Sequence, residues 1–177
     1  MKKTKTCCFF GHRNIIRENF IIKTIKPLII EKINNNYLNF IVGTHGQFDL
    51  LVYEILKELK RTFKKITISR VFTNLSILNK EKNFYKENIL LYDIENIHYK
   101  KRIIYSNECM INDSDLIICY VNNEQKNSGA KKSLNYAIKK NKLIINLFDK
   151  NELVEYEREK LKIRKELEKF LNTKKDT

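Results

Sequence analysis

Apolar positions along this chain follow two periods that replace one another from end to end. Residues 5–10, KTCCFF, form a short strand-prone run that stops at Gly11. From 14 to 36, Ile15, Phe20, Ile21, Ile25, Leu28, Ile29 and Ile33 fall at helical spacing, which predicts a helix kinked or restarted at Pro27. NFIV at 39–42 predicts a second strand, and 48–63 a second helix with Leu51, Ile55, Leu56 and Leu59 on one face. ITISRV alternates as a third strand. Residues 72–95 carry no clear period and read as a long excursion with short strand or helix pieces. Beyond them, 98–114 predicts a helix, and DLIICYV at 115–121 a strand apolar almost throughout, as a central parallel strand covered on both faces should be. A helix to about Lys140, a last strand KLIINLF at 142–148 and a charged helix from 150 complete the chain.

Such alternation predicts an α/β fold, a doubly wound parallel sheet of about five strands with right-handed crossovers and a C-terminal helix. No internal repeat and no Pro/Gly/Ser linker marks a boundary. Residues 1–149 are therefore expected to form one domain. Residues 150–177 are expected to pack on that domain or on a second subunit through Leu153, Tyr156, Ile163, Leu167 and Phe170. Lys160 interrupts that stripe, which argues against a long coiled coil.

Composition narrows the function classes. The 177 residues, 42% hydrophobic, suit a single core. Apolar runs such as LIICYV fall far short of the roughly 20 residues that cross a bilayer, and the four-residue apolar stretch after MKKTKT is too short for a signal sequence. A cytoplasmic protein without a membrane partner is expected. The formal charge of +14 raises the question of nucleic acid. Lys, Ile and Asn are enriched together, however, as A/T-rich codons would supply them, and a solvated lysine coat is favoured. Cys7, Cys8, Cys109 and Cys119 form no C-x-x-C pair, and adjacent Cys7 and Cys8 would point to opposite faces of a strand. Neither a metal site nor a cofactor is expected.

Ligands of doubly wound sheets bind beyond the carboxyl ends of the strands. Three loops there carry small or polar residues: Gly11, His12, Arg13 and Asn14; then Gly43, Thr44, His45, Gly46 and Gln47, up to Asp49; then Ser128, Gly129 and Ala130. Missing side chains let backbone N–H groups at a helix N-terminus approach an anion. Arg13 could add a bidentate contact. Asp49 could cap its helix or accept from a ribose hydroxyl. Ser128 or Thr44 is conceivable as a nucleophile with His12 or His45 as base, although no nucleophile elbow marks either. Since G-x-x-G is neither the dinucleotide fingerprint nor a Walker sequence, spacing alone reaches only an anion- or nucleotide-binding α/β domain.

CCFFGHR at 7–13, FIVGTHGQFDLLVYEILKELK at 40–60, and NECMINDSDLIICYV followed by SGA and KLIINL resemble the successive motifs of the SLOG superfamily. Its DUF1273-like branch is the nearest match, over about residues 5–148. The resemblance implies a Rossmann-like fold that binds nucleotides or nucleotide-derived ligands. Gly11, His12 and Arg13 would match the first ligand loop, Gly43, Gly46 and Asp49 the second, and Ser128, Gly129 and Ala130 the third. Relatives include phosphoribohydrolases, sensor domains for ADP-ribose-type signals and a DNA-processing protein that binds single strands. The phosphoribohydrolases carry a catalytic glutamate in P-G-G-x-G-T-x-x-E, where this chain has Ser133, and an arginine of many members is missing from Asn107-Glu108-Cys109-Met110. The expectation is sensing or sequestration of a nucleotide-derived small molecule, of ADP-ribose or cyclic-nucleotide type, without turnover and in a homodimer or higher oligomer. A phosphoribohydrolase-like enzyme is the first alternative and would need a carboxylate such as Glu54 or Glu124. The second is a single-stranded nucleic-acid binder that stacks bases on Phe72, Phe84, Tyr85 and Tyr92.

Overall fold

A computed structural model describes residues 3–74, 88–90 and 93–173. The chain runs β1 (Lys5–Gly11), α1 (Glu18–Asn34), β2 (Tyr37–Val42), α2 (Gln47–Thr62), β3 (Thr67–Phe72) and β4 (Asn88–Leu90). Two 3₁₀ turns, Ile94–Asn96 and Tyr99–Lys101, lead into α3 (Arg102–Asn112), followed by β5 (Leu116–Tyr120), α4 (Gly129–Lys139), β6 (Leu143–Asn146) and α5 (Lys150–Thr173). The strands form one six-stranded sheet in the order β4-β3-β2-β1-β5-β6, and every neighbouring pair is parallel. The doubly wound, Rossmann-like arrangement agrees with the alternation in the sequence. β4, three residues long, lies inside the stretch without a period and adds one strand to the five expected.

Side chains alternate across the sheet, so consecutive residues enter two separate cores. Cys7, Phe9, Leu116 and Ile118 face α1 and α2, whereas Cys8, Phe10, Ile117 and Cys119 face α3 and α4. α1 buries Ile21, Ile25, Ile29 and Ile33, one residue per turn. It is a single helix that starts at Glu18 rather than near Asn14, with Pro27 inside it. Pro27 lies on the exposed side, where the carbonyl it leaves without a helical partner can meet water. The helix expected over 98–114 instead begins with the 3₁₀ turn Tyr99–Lys101, where His98 Nδ1 accepts from the Lys100 N–H at 3.4 Å.

Only four glycines serve the whole chain, so other residues take the left-handed positions. Asn36, Asn127 and Asn141, with φ of 70°, 60° and 52°, occupy the turns after α1, before α4 and after α4. Asparagine tolerates this region better than other side chains. Three of the asparagines thus do a glycine's work here.

α5 meets the domain near its start. Leu153 lines a small cavity together with Ile16, Phe20, Tyr120 and Phe148, and Arg17 pairs with Glu155 at 3.2 Å. From Glu157 to Leu171 every residue is exposed, so the expected packing on the domain ends with Tyr156. Among the described residues, no helix is long and apolar enough to cross a membrane.

Strand order steps outward from β1 to β4, then returns to place β5 and β6 on the other side. That reversal parts the loops leaving β1 and β5 and creates a crevice between their carboxyl ends.

Candidate functional site

A cleft of about 440 Å³ opens at this switch point. One wall comes from the loop after β1 (Gly11, His12, Arg13), and the floor takes in His45 and Asp49. The opposite wall is the start of α4 (Ser128, Gly129, Ala130), with Asn107 and Ile104 of α3 beside it.

His12 joins the two walls. Its N–H continues the β1–β5 ladder by donating to the Tyr120 carbonyl at 3.0 Å, and its ring Nε2 accepts from the Asn122 N–H at 2.7 Å. Nε2 therefore carries no proton, which assigns the proton of the neutral ring to Nδ1. Burial lowers the His12 pKa and favours this neutral form. Nδ1 faces Ser128 Oγ at 3.3 Å, and the same oxygen caps α4 by accepting from the Lys131 N–H at 3.3 Å. With two donors on its oxygen, Ser128 has its own hydrogen left to offer. This tautomer rules out the pairing of Ser128 as nucleophile with His12 as base, because Nδ1 donates where a base must accept.

The second loop is held from inside the protein. Asp49, 7% exposed, accepts from the His45 N–H at 2.9 Å through Oδ2, a cap for the turn that opens α2. Burial pushes its carboxyl up to about 6, and the His45 N–H only partly offsets this. His45 Nε2 lies 2.7 Å from Thr73 Oγ1; burial first, and then the charge of Arg13, lower its pKa. The Thr44 hydroxyl donates to the Val71 carbonyl at 3.1 Å and so ties the loop to β3. Thr44 is not among the residues that line the cleft.

Three of the glycines have protein where a side chain would stand. A Cβ on Gly43 would lie 2.6 Å from Asp49 Oδ2, one on Gly11 2.7 Å from the Phe48 ring, and one on Gly46 2.8 Å from Arg13 Cα. The Gln47 N–H donates to the Arg13 carbonyl at 2.8 Å, and Gln47 Oε1 accepts from the Ile15 N–H at 3.0 Å. The β1 loop thus covers the N-terminus of α2. Of the helix starts expected to face an anion, α2 is closed, and Gly43 and Gly46 lie outside the cleft lining. α4 is different. Its Gly129 lines the cleft, and the nearest atom to a Cβ there is Ile104 Cγ1 at 3.9 Å, an ordinary contact.

Lys100 and Lys132 join Arg13 around that helix start, and Gln125 and Asn127 complete the rim. Lys132 and Asn127 adjoin the expected Ser128, Gly129 and Ala130, although neither was itself expected. Nothing in the sequence announces Lys100, which arrives only after the chain has returned from β4. Ser133, fully buried, accepts from Asn107 Nδ2 at 3.0 Å and donates to the Gly129 carbonyl at 3.1 Å, so it braces the α4 wall rather than lining it. Glu54 pairs with Lys57 at 2.8 Å and Glu124 with Lys150, both on exposed surface and outside the cleft lining. Asp49 is the one carboxylate lining the cleft among the described residues. No group of three His, Cys, Asp or Glu among those residues could hold a metal ion. Phe72 is buried and anchors β3, while Phe84, Tyr85 and Tyr92 lie outside the described residues. Neither a scan of protein-family models nor a search of curated proteins gives a match to this chain.

Proposed function

We propose that this cleft binds a nucleotide-derived ligand, of ADP-ribose or cyclic-nucleotide type, and holds it without turnover, as the SLOG-like motifs imply. The observation that carries the reading is the start of α4. There an uncrowded glycine, a serine with a hydrogen to give and the helix dipole meet three cations, Arg13, Lys100 and Lys132. Phosphate oxygens accept hydrogen bonds and carry negative charge, so they match such a wall. Across the cleft, buried Asp49 suits a sugar hydroxyl, which donates. The absence of turnover rests on the committed tautomer of His12 and on the lack of a second carboxylate among the described residues lining the cleft.

Native mass spectrometry against a panel of nucleotides, ADP-ribose and its cyclic isomers included, tests this reading with the Gly129→Ala variant alongside. The new methyl makes only an ordinary contact with Ile104, so the melting temperature should hold or rise slightly, as alanine favours helix. A retained mass of unchanged ligand is expected for the parent, with binding at least ~10-fold weaker in the variant. Equal binding by both proteins would remove the phosphate from α4. A converted ligand would instead establish the enzyme, whose one supporting observation is Asp49, a carboxyl with a pKa near working pH in the cleft.

A further inference from the structure

The stripe by which α5 leaves the domain continues after the domain has ended. Leu153 and Tyr156 are partly covered, and the same side of the helix then presents Ile163, Leu167, Phe170 and Leu171, exposed by 58%, 57%, 58% and 51%. At 1.5 Å per residue, the exposed part from Glu157 to Leu171 reaches ~22 Å beyond its anchor. Charge divides along the same helix. In the exposed part Glu157 and Glu159 come first, Lys160, Lys162, Arg164 and Lys165 follow, and Glu166, Glu168 and Lys169 lie nearer the end.

We infer that α5 is a self-association element, which pairs antiparallel with α5 of a second copy of this chain. An antiparallel pair of the exposed parts, about a two-fold axis near residue 164, sets Glu159 level with Lys169, Lys160 with Glu168 and Lys162 with Glu166, and buries the stripe that the domain leaves uncovered. A parallel pair would set basic on basic and acid on acid. The level pairings therefore select both the partner and the direction. Lys160 lies in the overlap, where its methylene stem can cover apolar surface while the ammonium reaches Glu168 of the facing helix. The pairing spans one short helix per copy and needs no long coiled coil. It is independent of what the cleft binds.

Sedimentation of the full chain across a dilution series tests the inference. A dimer is expected, and the double variant Ile163→Glu with Leu167→Glu should weaken it at least ~10-fold while leaving the melting profile of the domain unchanged, since both residues are exposed. The variant Glu157→Lys with Glu159→Lys tests direction. In the antiparallel pair it opposes basic residues and weakens the dimer, and the loss shrinks at high salt; in a parallel pair it exchanges one like-charge contact for another. A protein that stays monomeric overturns the inference. So does a dimer indifferent to Ile163→Glu with Leu167→Glu, or a monomer that instead binds anionic lipid vesicles. A dimer weakened by the apolar variant but not by the charge variant overturns the antiparallel arrangement.

Discussion

Asp49→Asn is expected to stabilise the fold by about 1–3 kcal/mol at pH 7, with a gain that vanishes in acid. Burial holds the Asp49 carboxyl near 6 in the folded chain against an ordinary 3.8, a separation that corresponds to ~3 kcal/mol. Between those values the folded state binds more protons than the unfolded one. The contribution of the group is therefore most favourable below pH 3.8, declines as the pH rises to about 6 and stays low above it. Asparagine has no such dependence, and its carbonyl can still accept from the His45 N–H where Asp49 Oδ2 does. His12 and His45 titrate in the opposite sense, since burial lowers both and their effect on stability is lost as the solution is acidified below the ordinary histidine range. They are present in both proteins and cancel in the difference. Urea denaturation of the two proteins from pH 4 to 8 measures it directly. An asparagine variant equally stable or weaker at pH 7 would show that the carboxylate is not strained by its site. A carboxylate kept at such a cost on the floor of a cleft is the pattern of a residue retained for what it binds.

How far the sequence carried differs between the fold and the site. The sheet was legible because strand and helix periods differ strongly, and because β5, apolar throughout, announces a central parallel strand. β4 was not, since three residues are too few to show a period. The topological rule placed the three loops correctly at one sheet edge, and His12, Arg13, His45, Asp49 and Ser128 do share the cleft. What spacing could not reveal is which way a missing side chain faces. A glycine admits a ligand or admits the protein itself, and both leave the same letter. In Gly11, Gly43 and Gly46 the space goes to Phe48, Asp49 and Arg13, and only Gly129 opens on the cleft. Lys100 and the brace made by Ser133 and Asn107 depend on contacts between distant segments, which no local pattern encodes.

The loop G-T-H-G supplies the sharpest contrast between those two kinds of glycine. Gly46→Ala is expected to destabilise the protein by about 2–4 kcal/mol and to abolish ligand binding, although residue 46 does not line the cleft. Its φ of −165° is extended backbone that alanine adopts freely, so no conformational strain enters. The whole effect is steric. The added methyl would stand 2.8 Å from Arg13 Cα and 3.3 Å from the carbonyls of Arg13 and His12, and backbone atoms cannot rotate away as a side chain would. Relief requires the β1 loop to lift from α2, which breaks the bonds from the Gln47 N–H to the Arg13 carbonyl and from the Ile15 N–H to Gln47 Oε1. That same movement pulls His12 away from Asn122 and Ser128, so one wall of the cleft loses its link to the other. Thermal melts and native mass spectrometry run on Gly46→Ala beside Gly129→Ala separate the causes. The first should lose stability and binding together, the second binding alone. An unchanged melting temperature for Gly46→Ala would mean that the β1 loop rides freely over α2, and the two walls would then have to be treated as independent.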